Sequence, residues 1–418
     1  MRIPSPASLR EPSRLRVADK GVNNMAETVA VTAPASESSL VEAAAAVAPE
    51  VRALAAEAQR LGRLPDETIR LLDEAGLHKV LAPRSRGGHQ ASIETFNGVM
   101  EELGKACGST AWVASIYNGN MYMLTAFSEA ANDEVYANEY PKLAQSFTPN
   151  GQAIPADGGY RLSGTWRFCS GQHHAQWAIF LSLILDGDKA PEPAMFLVPK
   201  QDCTVADDWQ VSGLTGTGSN TISVNDKFVP AHRVVRPAAP ELGQPPSADF
   251  ADPFFQIPTI PLFIAGSVGA PLGLAGEALS LFRERIHKRG ITYTSYTRAA
   301  DAPITHFQLS EACMKFDEAR FHAQRAAQTA MKLTDGPLDL EERVRIRGDL
   351  AWTVNLCREV VDIAQRASGA SAIHLKDPLQ RIVRDIQALS VHAFLVHSTS
   401  AELYGRVLAG LEPGTDLL

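Results

Sequence analysis

The chain has 418 residues, 45% of them hydrophobic and 21% charged, with 30 Gly and 26 Pro. That balance excludes wholesale disorder, a collagen-like repeat and a disulfide-stapled mini-scaffold. A net charge of −8, from 39 Lys and Arg against 47 Asp and Glu, lacks the basic footprint of a nucleic-acid binder. The 5 cysteines, at 107, 169, 203, 313 and 357, show no short CxxC spacing. They argue against a disulfide framework and a zinc ribbon, and for a reducing cytoplasm. No apolar run approaches the ~18 residues of a membrane span, so no membrane partner is expected.

Met1 to Asn24 is Arg- and Pro-rich without the apolar core of a secretory signal. Residues 1–39 are expected to be a disordered tail, with Met25 as an alternative start. Helical spacing begins near Leu40, through Val41, Ala44, Val51, Leu54 and Ala58. Pro65-Asp66-Glu67 opens a second helix. Ser92–Cys107 and Ser109–Phe127 read as two more, the latter apolar almost all round and therefore buried. Ser128–Asn138 is a further short helix. These elements make a helical domain over 40–144.

The period then changes. Tyr160, Leu162, Gly164, Trp166 and Phe168 alternate with mostly polar residues, as a strand does. Trp177–Leu185, Ala194–Val198, Cys203–Trp209 and Thr221–Phe228 are further strand candidates, giving a β domain over 145–236. Residues 237–258 are a Pro-rich linker. Four long helices are predicted over 259–418: Ile264–Arg289, Ile304–Asp335, Leu340–Ser368 and Pro378–Leu411. Helices, then strands, then helices indicate an α+β chain, mainly α, ending in a bundle suited to oligomerisation.

There is no GxGxxG opening a helix, no P-loop, no HExxH and no GxSxG. Three segments remain. Gly213 to Ser219 is glycine-rich but lies between strands, either a tight turn or a ligand-facing loop. Trp166-Arg167-Phe168-Cys169-Ser170 ends a strand in small polar residues, before His173 and His174. Adjacent side chains on an extended chain face opposite ways, so these two histidines do not share a metal, and no metal site is expected. Ile386, Leu389, His392 and Val396 share one helix face, where His392 is either a satisfied core residue or an acid/base.

Together and in this order, these segments resemble the acyl-CoA dehydrogenase superfamily from about residue 40 onward. The resemblance implies an N-terminal helical domain, a central β-barrel or sandwich domain and a C-terminal four-helix bundle, assembled as a homotetramer. Gly108 to Val113, Trp166 to His174, Gly216 to Ser219 with Phe228-Val229-Pro230, and Arg384-Asp385 with His392 are most similar to oxygenase components of two-component flavin monooxygenases. Those enzymes take reduced flavin from a separate NAD(P)H:flavin reductase. A dehydrogenase of the family needs a glutamate base, and neither Ile386–Ser400 nor Pro253–Gly276 contains an acid.

The resemblance implies hydroxylation of an aromatic, possibly polycyclic, small molecule by O2 through a C4a-hydroperoxyflavin. N-oxygenation of an amine or amino sugar, an acyl-CoA dehydrogenase-like flavoprotein and a scaffold that has lost flavin are the alternatives. Reduced FMN is expected, with FAD as the other choice. Thr148, Trp166, Phe168, Cys169, Ser170, Arg289, Gly369 and Ser371 match flavin contacts, with Cys169 or Ser170 near N5 and the last three on the phosphate side. His392 matches a catalytic histidine that would take the substrate's hydroxyl proton. Asn118, Asn120 and Tyr122 lie where relatives that hydroxylate phenols place a pocket histidine. Those asparagines otherwise satisfy buried backbone.

Overall fold

The computed structural model describes residues 37–418, apart from 140, 238–242 and 416. Most of the expected tail over 1–39 therefore lies outside the described residues.

Five helices come first: α1 (Glu37–Leu61), α2 (Asp66–Glu74), α3 (Ile93–Ala106), α4 (Gly108–Leu124) and α5 (Glu129–Tyr136). Local chemistry sets several of their starts. The Ser92 hydroxyl accepts from Thr95 N–H at the head of α3, and Ser128 does the same for Ala131 at α5. Helix α4 is buried along nearly its whole length, as its lack of a polar face requires.

Seven strands follow: β1 (Leu143–Ala156), β2 (Gly159–Trp166), β3 (Trp177–Ile184), β4 (Glu192–Pro199), β5 (Thr204–Val205), β6 (Ile222–Pro230) and β7 (Val234–Val235). They form one mixed sheet in the order β5-β6-β2-β1-β3-β4-β7. Only the β1–β3 pairing is parallel. The alternating pattern does not reveal β1, the central strand. The β1–β3 register shifts between Ser146 and Gly151. The strand bends there and continues. Cys203–Trp209 keeps only two residues as strand. Trp166 stacks on Phe180 inside the sheet's core, with centroids 4.1 Å apart and planes within 12°.

The last third holds α6 (Thr259–Ala265), α7 (Gly269–Lys288), α8 (Pro303–Met331), α9 (Leu340–Ser368), α10 (Pro378–Ser390) and α11 (His397–Leu408). Asp339 caps α9 and Asp377 caps α10 by accepting backbone N–H groups. Thr259–Lys288 is apolar enough by composition to cross a membrane, which run length missed because Gly, Ser and Glu interrupt it. Its most apolar window is 72% buried within the fold, as a core helix is.

The expected single helix Pro378–Leu411 is two helices. The break spans residues 391–396, and His392 lies in it rather than on a helix face. Its carbonyl accepts the Leu395 and Val396 N–H groups, closing the turn that separates α10 from α11.

Candidate active site

A cavity of about 770 Å³ opens where α4, β1, the end of β2, the 209–219 loop, α6 and the 391–394 break converge. Its size is that of a small-molecule site. One end is apolar: Leu81, Phe96, Ile116, Phe147, Leu262 and Phe263 line it. The hydroxyls of Ser115 and Ser267 at this end turn back onto the carbonyls of Trp112 and Phe263. Phe147 and Phe263 meet edge to face, with centroids 5.4 Å apart.

The Gly213–Ser219 loop faces the cavity. Gly213, Leu214, Thr217 and Ser219 all line the cavity. Leu214 holds a left-handed backbone, φ 51°, and Asp385 Oδ1 accepts its N–H at 2.7 Å. Gly213 is required: a Cβ there would stand 2.0 Å from the Arg384 carbonyl oxygen. Asp385 is itself buried, and burial pushes its pKa up to about 6, against the smaller opposing pull of the Leu214 N–H.

Phe168 also adopts a left-handed backbone, φ 60°, at the end of β2. That turn separates its two successors. Ser170 faces the cavity and accepts from Trp112 Nε1 at 3.3 Å. Cys169 is fully buried in the sheet's core with its thiol on the Trp166 carbonyl, and burial pushes its pKa up to about 12. Phe168 and Thr148 line the cavity, whereas Trp166 and Cys169 do not.

The other expected residues divide likewise. Asn118 is buried, donating to the Leu77 and Ala114 carbonyls and accepting from Leu81 N–H. Asn120 donates to the Leu143 carbonyl, and the Tyr122 hydroxyl sits between the Phe254 and Ile257 carbonyls. None of the three lines the cavity; from that stretch of α4 only Gly119 does. The place expected for a pocket side chain is therefore left open, and Phe263 fills it: a Cβ on Gly119 would meet Phe263 Cζ at 2.6 Å. Arg289, Gly369 and Ser371 form a separate group, the first two exposed and Ser371 half-buried, with the guanidinium donating to Ser371 Oγ. His173 and His174 are anchored apart, on Asn220 and on the Leu64 carbonyl.

His392 lines the cavity beside Phe394. Crowding by the protein around the ring pulls its pKa down, to about 4, although His392 itself stays exposed along the cavity mouth, and no carboxylate opposes the shift. The ring is neutral at pH 7. Its Nδ1 accepts the Phe394 N–H in a long hydrogen bond of 3.4 Å, which assigns the ring hydrogen to Nε2.

Sequence reasoning passed over Gln145. It lines the cavity, and its Oε1 is buried with no hydrogen-bond partner. Such an atom is free to accept an N–H or O–H from a molecule in the cavity. Recognising β1 as a strand is the step that would have exposed this buried polar residue.

The family model described as the acyl-CoA dehydrogenase N-terminal domain matches residues 35–146, and that of the C-terminal domain matches 265–397. The oxygenase subunit HsaA of a flavin-dependent monooxygenase from Rhodococcus jostii is 32% identical over 89% of this chain and 98% of its own. The oxygenase component of an FADH(2)-dependent resorcinol hydroxylase from Rhizobium sp. is 30% identical over 90% and 95%. Among solved structures, XiaF from Streptomyces sp., in complex with FADH2 and glycerol, superposes with a TM-score of 0.84. It is 33% identical, over 91% of this chain and 98% of that one.

Proposed function

Since the chain belongs to the acyl-CoA dehydrogenase superfamily, as an oxygenase component of the reduced-flavin-dependent monooxygenases, we propose that its cavity takes reduced flavin together with an uncharged aromatic substrate of more than one ring. When bound, the reduced flavin would supply the two electrons that activate O2, and O2 itself the oxygen atom transferred. A separate reductase supplies it reduced.

The chemistry of the cavity wall carries this reading. His392 is its one imidazole, and among the described lining residues there is no Asp or Glu. The family's dehydrogenases need a carboxylate base, and this wall has none to offer. The residues present fit a flavin ring. Phe168 and Trp112 offer apolar surface, Ser170 and Thr148 offer hydroxyls, and the unpartnered Gln145 Oε1 suits a ring N–H.

The apolar end holds the substrate's rings and excludes water, which protects oxygen transfer from side reactions. His392 offers Nε2–H to the substrate's oxygen and so stabilises negative charge as it develops there during oxygen transfer. Taking a proton on Nδ1 would set two N–H groups face to face at Phe394, which disfavours the imidazolium. Arg289, Gly369 and Ser371 do not line this cavity, and we assign them to the phosphate of flavin bound by a neighbouring copy in a homotetramer. The five cysteines are all free thiols, in keeping with a cytoplasmic setting.

Anaerobic gel filtration with reduced FMN, and separately reduced FAD, tests the reading. At least one is expected to co-elute and then to reoxidise in O2 more slowly than free flavin. Retention of neither would overturn it.

A further inference from the structure

Helix α9 carries a buried cation that the site described above does not use. Arg347 is 4% exposed, and among the described residues no carboxylate pairs with it. Its Nη1 donates to the Leu417 carbonyl at 2.7 Å, and its Nε is buried without a partner. A charge is kept in such a place only where something else compensates it. Here the compensation is a ring: Arg347 Cζ lies 5.7 Å from the centroid of Phe394, within reach of the ring's negative face. The segment after α11 brings the Leu417 carbonyl back to α9. Gly410 takes a left-handed backbone, φ 75°, and Leu411 N–H returns to the Arg406 carbonyl. Arg406 Nε then donates to the Glu412 carbonyl at 2.9 Å, and Pro413 is buried.

Phe394 belongs to the 391–396 break and lines the cavity beside His392. Its N–H donates to His392 Nδ1, and the two rings lie 6.1 Å apart. The break has few bonds of its own. The Leu395 and Val396 N–H groups close on the His392 carbonyl, and the Leu395 side chain is buried. Those contacts hold the turn together and pin its inner side. The side that faces the cavity is held by its rings, Trp112 against His392 and Arg347 against Phe394.

We infer that Arg347 is a positioning residue for the reaction proposed above, holding the Phe394 ring from behind so that the 391–396 break presents His392 to the cavity. This rests on that function. Arg347 does not itself line the cavity, so it acts through Phe394.

Backbone hydrogen exchange, read by mass spectrometry on the full chain, gives the test. Arg347→Met keeps much of the buried side-chain length and removes the charge. Residues 391–396 are expected to exchange roughly tenfold faster, while α9 and the sheet keep their wild-type rates. Arg347→Lys retains a cation for the ring and is expected to recover most of the protection. Phe394→Leu, with the guanidinium intact, is expected to match Arg347→Met, and the double variant to add little further. Unchanged exchange at 391–396 in both single variants overturns the inference. So does faster exchange spread equally over α9, which marks a general loss of stability, and so does an Arg347→Lys variant as unprotected as Arg347→Met. Protein loaded with reduced FMN and mixed with O2 gives the second readout. Arg347→Met is expected to hold FMN as wild type does and to release H2O2 severalfold faster, because a loosened break admits water. Equal release by the two overturns the link to the reaction. Failure of wild type to retain reduced FMN removes the proposed function, and this inference with it, whatever the exchange shows.

Discussion

The indole of Trp112 stands edge-on to the imidazole of His392, with ring centroids 5.1 Å apart and planes at 66°. Trp112 belongs to α4 and His392 to the break after α10, so this contact joins the first and last thirds of the chain at the cavity. The same indole donates to Ser170. One side chain therefore touches both the histidine and the hydroxyl wall.

His392→Ala is expected to leave the affinity for reduced flavin within about twofold, since the flavin-facing hydroxyls lie elsewhere. Product formation should fall by roughly two orders of magnitude, in the range of a lost hydrogen-bond donor to developing charge, while free H2O2 rises. Quantifying product against H2O2 checks this; unchanged coupling removes His392 from the chemistry. The ring's lowered pKa, about 4, keeps it neutral across pH 6 to 9, so coupling should show no histidine-like step there. The sign for stability is the reverse of a salt-bridged histidine. The unfolded chain takes up this proton first, so His392 costs stability as pH falls from 6.5 toward 4.

Asp385 works in the opposite sense. Its folded pKa is raised from 3.8 to about 6, so its contribution to stability declines as pH rises through that window. Asp385→Asn keeps an acceptor for Leu214 N–H and removes a buried charge. A gain on the order of 1–3 kcal/mol is expected at pH 8 and much less at pH 4. Urea unfolding at the two pH values measures it. Equal effects at both would show that ionisation is not the cause.

Gly119→Ala places a methyl against the Phe263 ring, the mobile far end of a side chain rather than backbone. The ring must turn, and the apolar end of the cavity narrows. We expect the substrate KM to rise severalfold with stability reduced by about 1–3 kcal/mol. Reduced-flavin affinity should hold. Loss of flavin binding with KM unaltered would place Gly119 on the wrong part of the site.

Cys169→Ala separates two neighbours that sequence alone treats alike. The thiol is buried against the Trp166 carbonyl, so its removal should cost about 1 kcal/mol of stability and leave flavin reoxidation rates unchanged. Ser170→Ala should do the reverse. Stopped-flow reoxidation of both variants decides between them; a faster rate in Cys169→Ala would return the thiol to the cavity.

Local pattern made the helices legible. Leu340–Ser368 is read to its ends because an Asp cap, acids in the first turn and a following glycine all act within a few residues. The acid-free stretch around His392 likewise reads directly from the chain, and it already argued against a carboxylate base. The strand β1 was hidden because its first four residues are buried in succession and its middle is bent, so buried and exposed positions do not alternate along it. Asn118, Asn120 and Tyr122 sit on a helix buried on every side, so periodicity could not say which face meets the cavity.

Composition, period and short-range capping thus determined the helix–sheet–helix order and the acid-free stretch around His392. Long-range packing decided the site itself. It chose Ser170 over Cys169 through one left-handed residue, and it turned Gly119 rather than its neighbours toward the cavity. It broke the last helix so that His392 meets Trp112. It also set the Ser170, Ser219 and Thr217 hydroxyls in one hydrogen-bonded line on the cavity wall. A side chain's direction depends on partners tens to hundreds of residues away, and no local spacing carries that information.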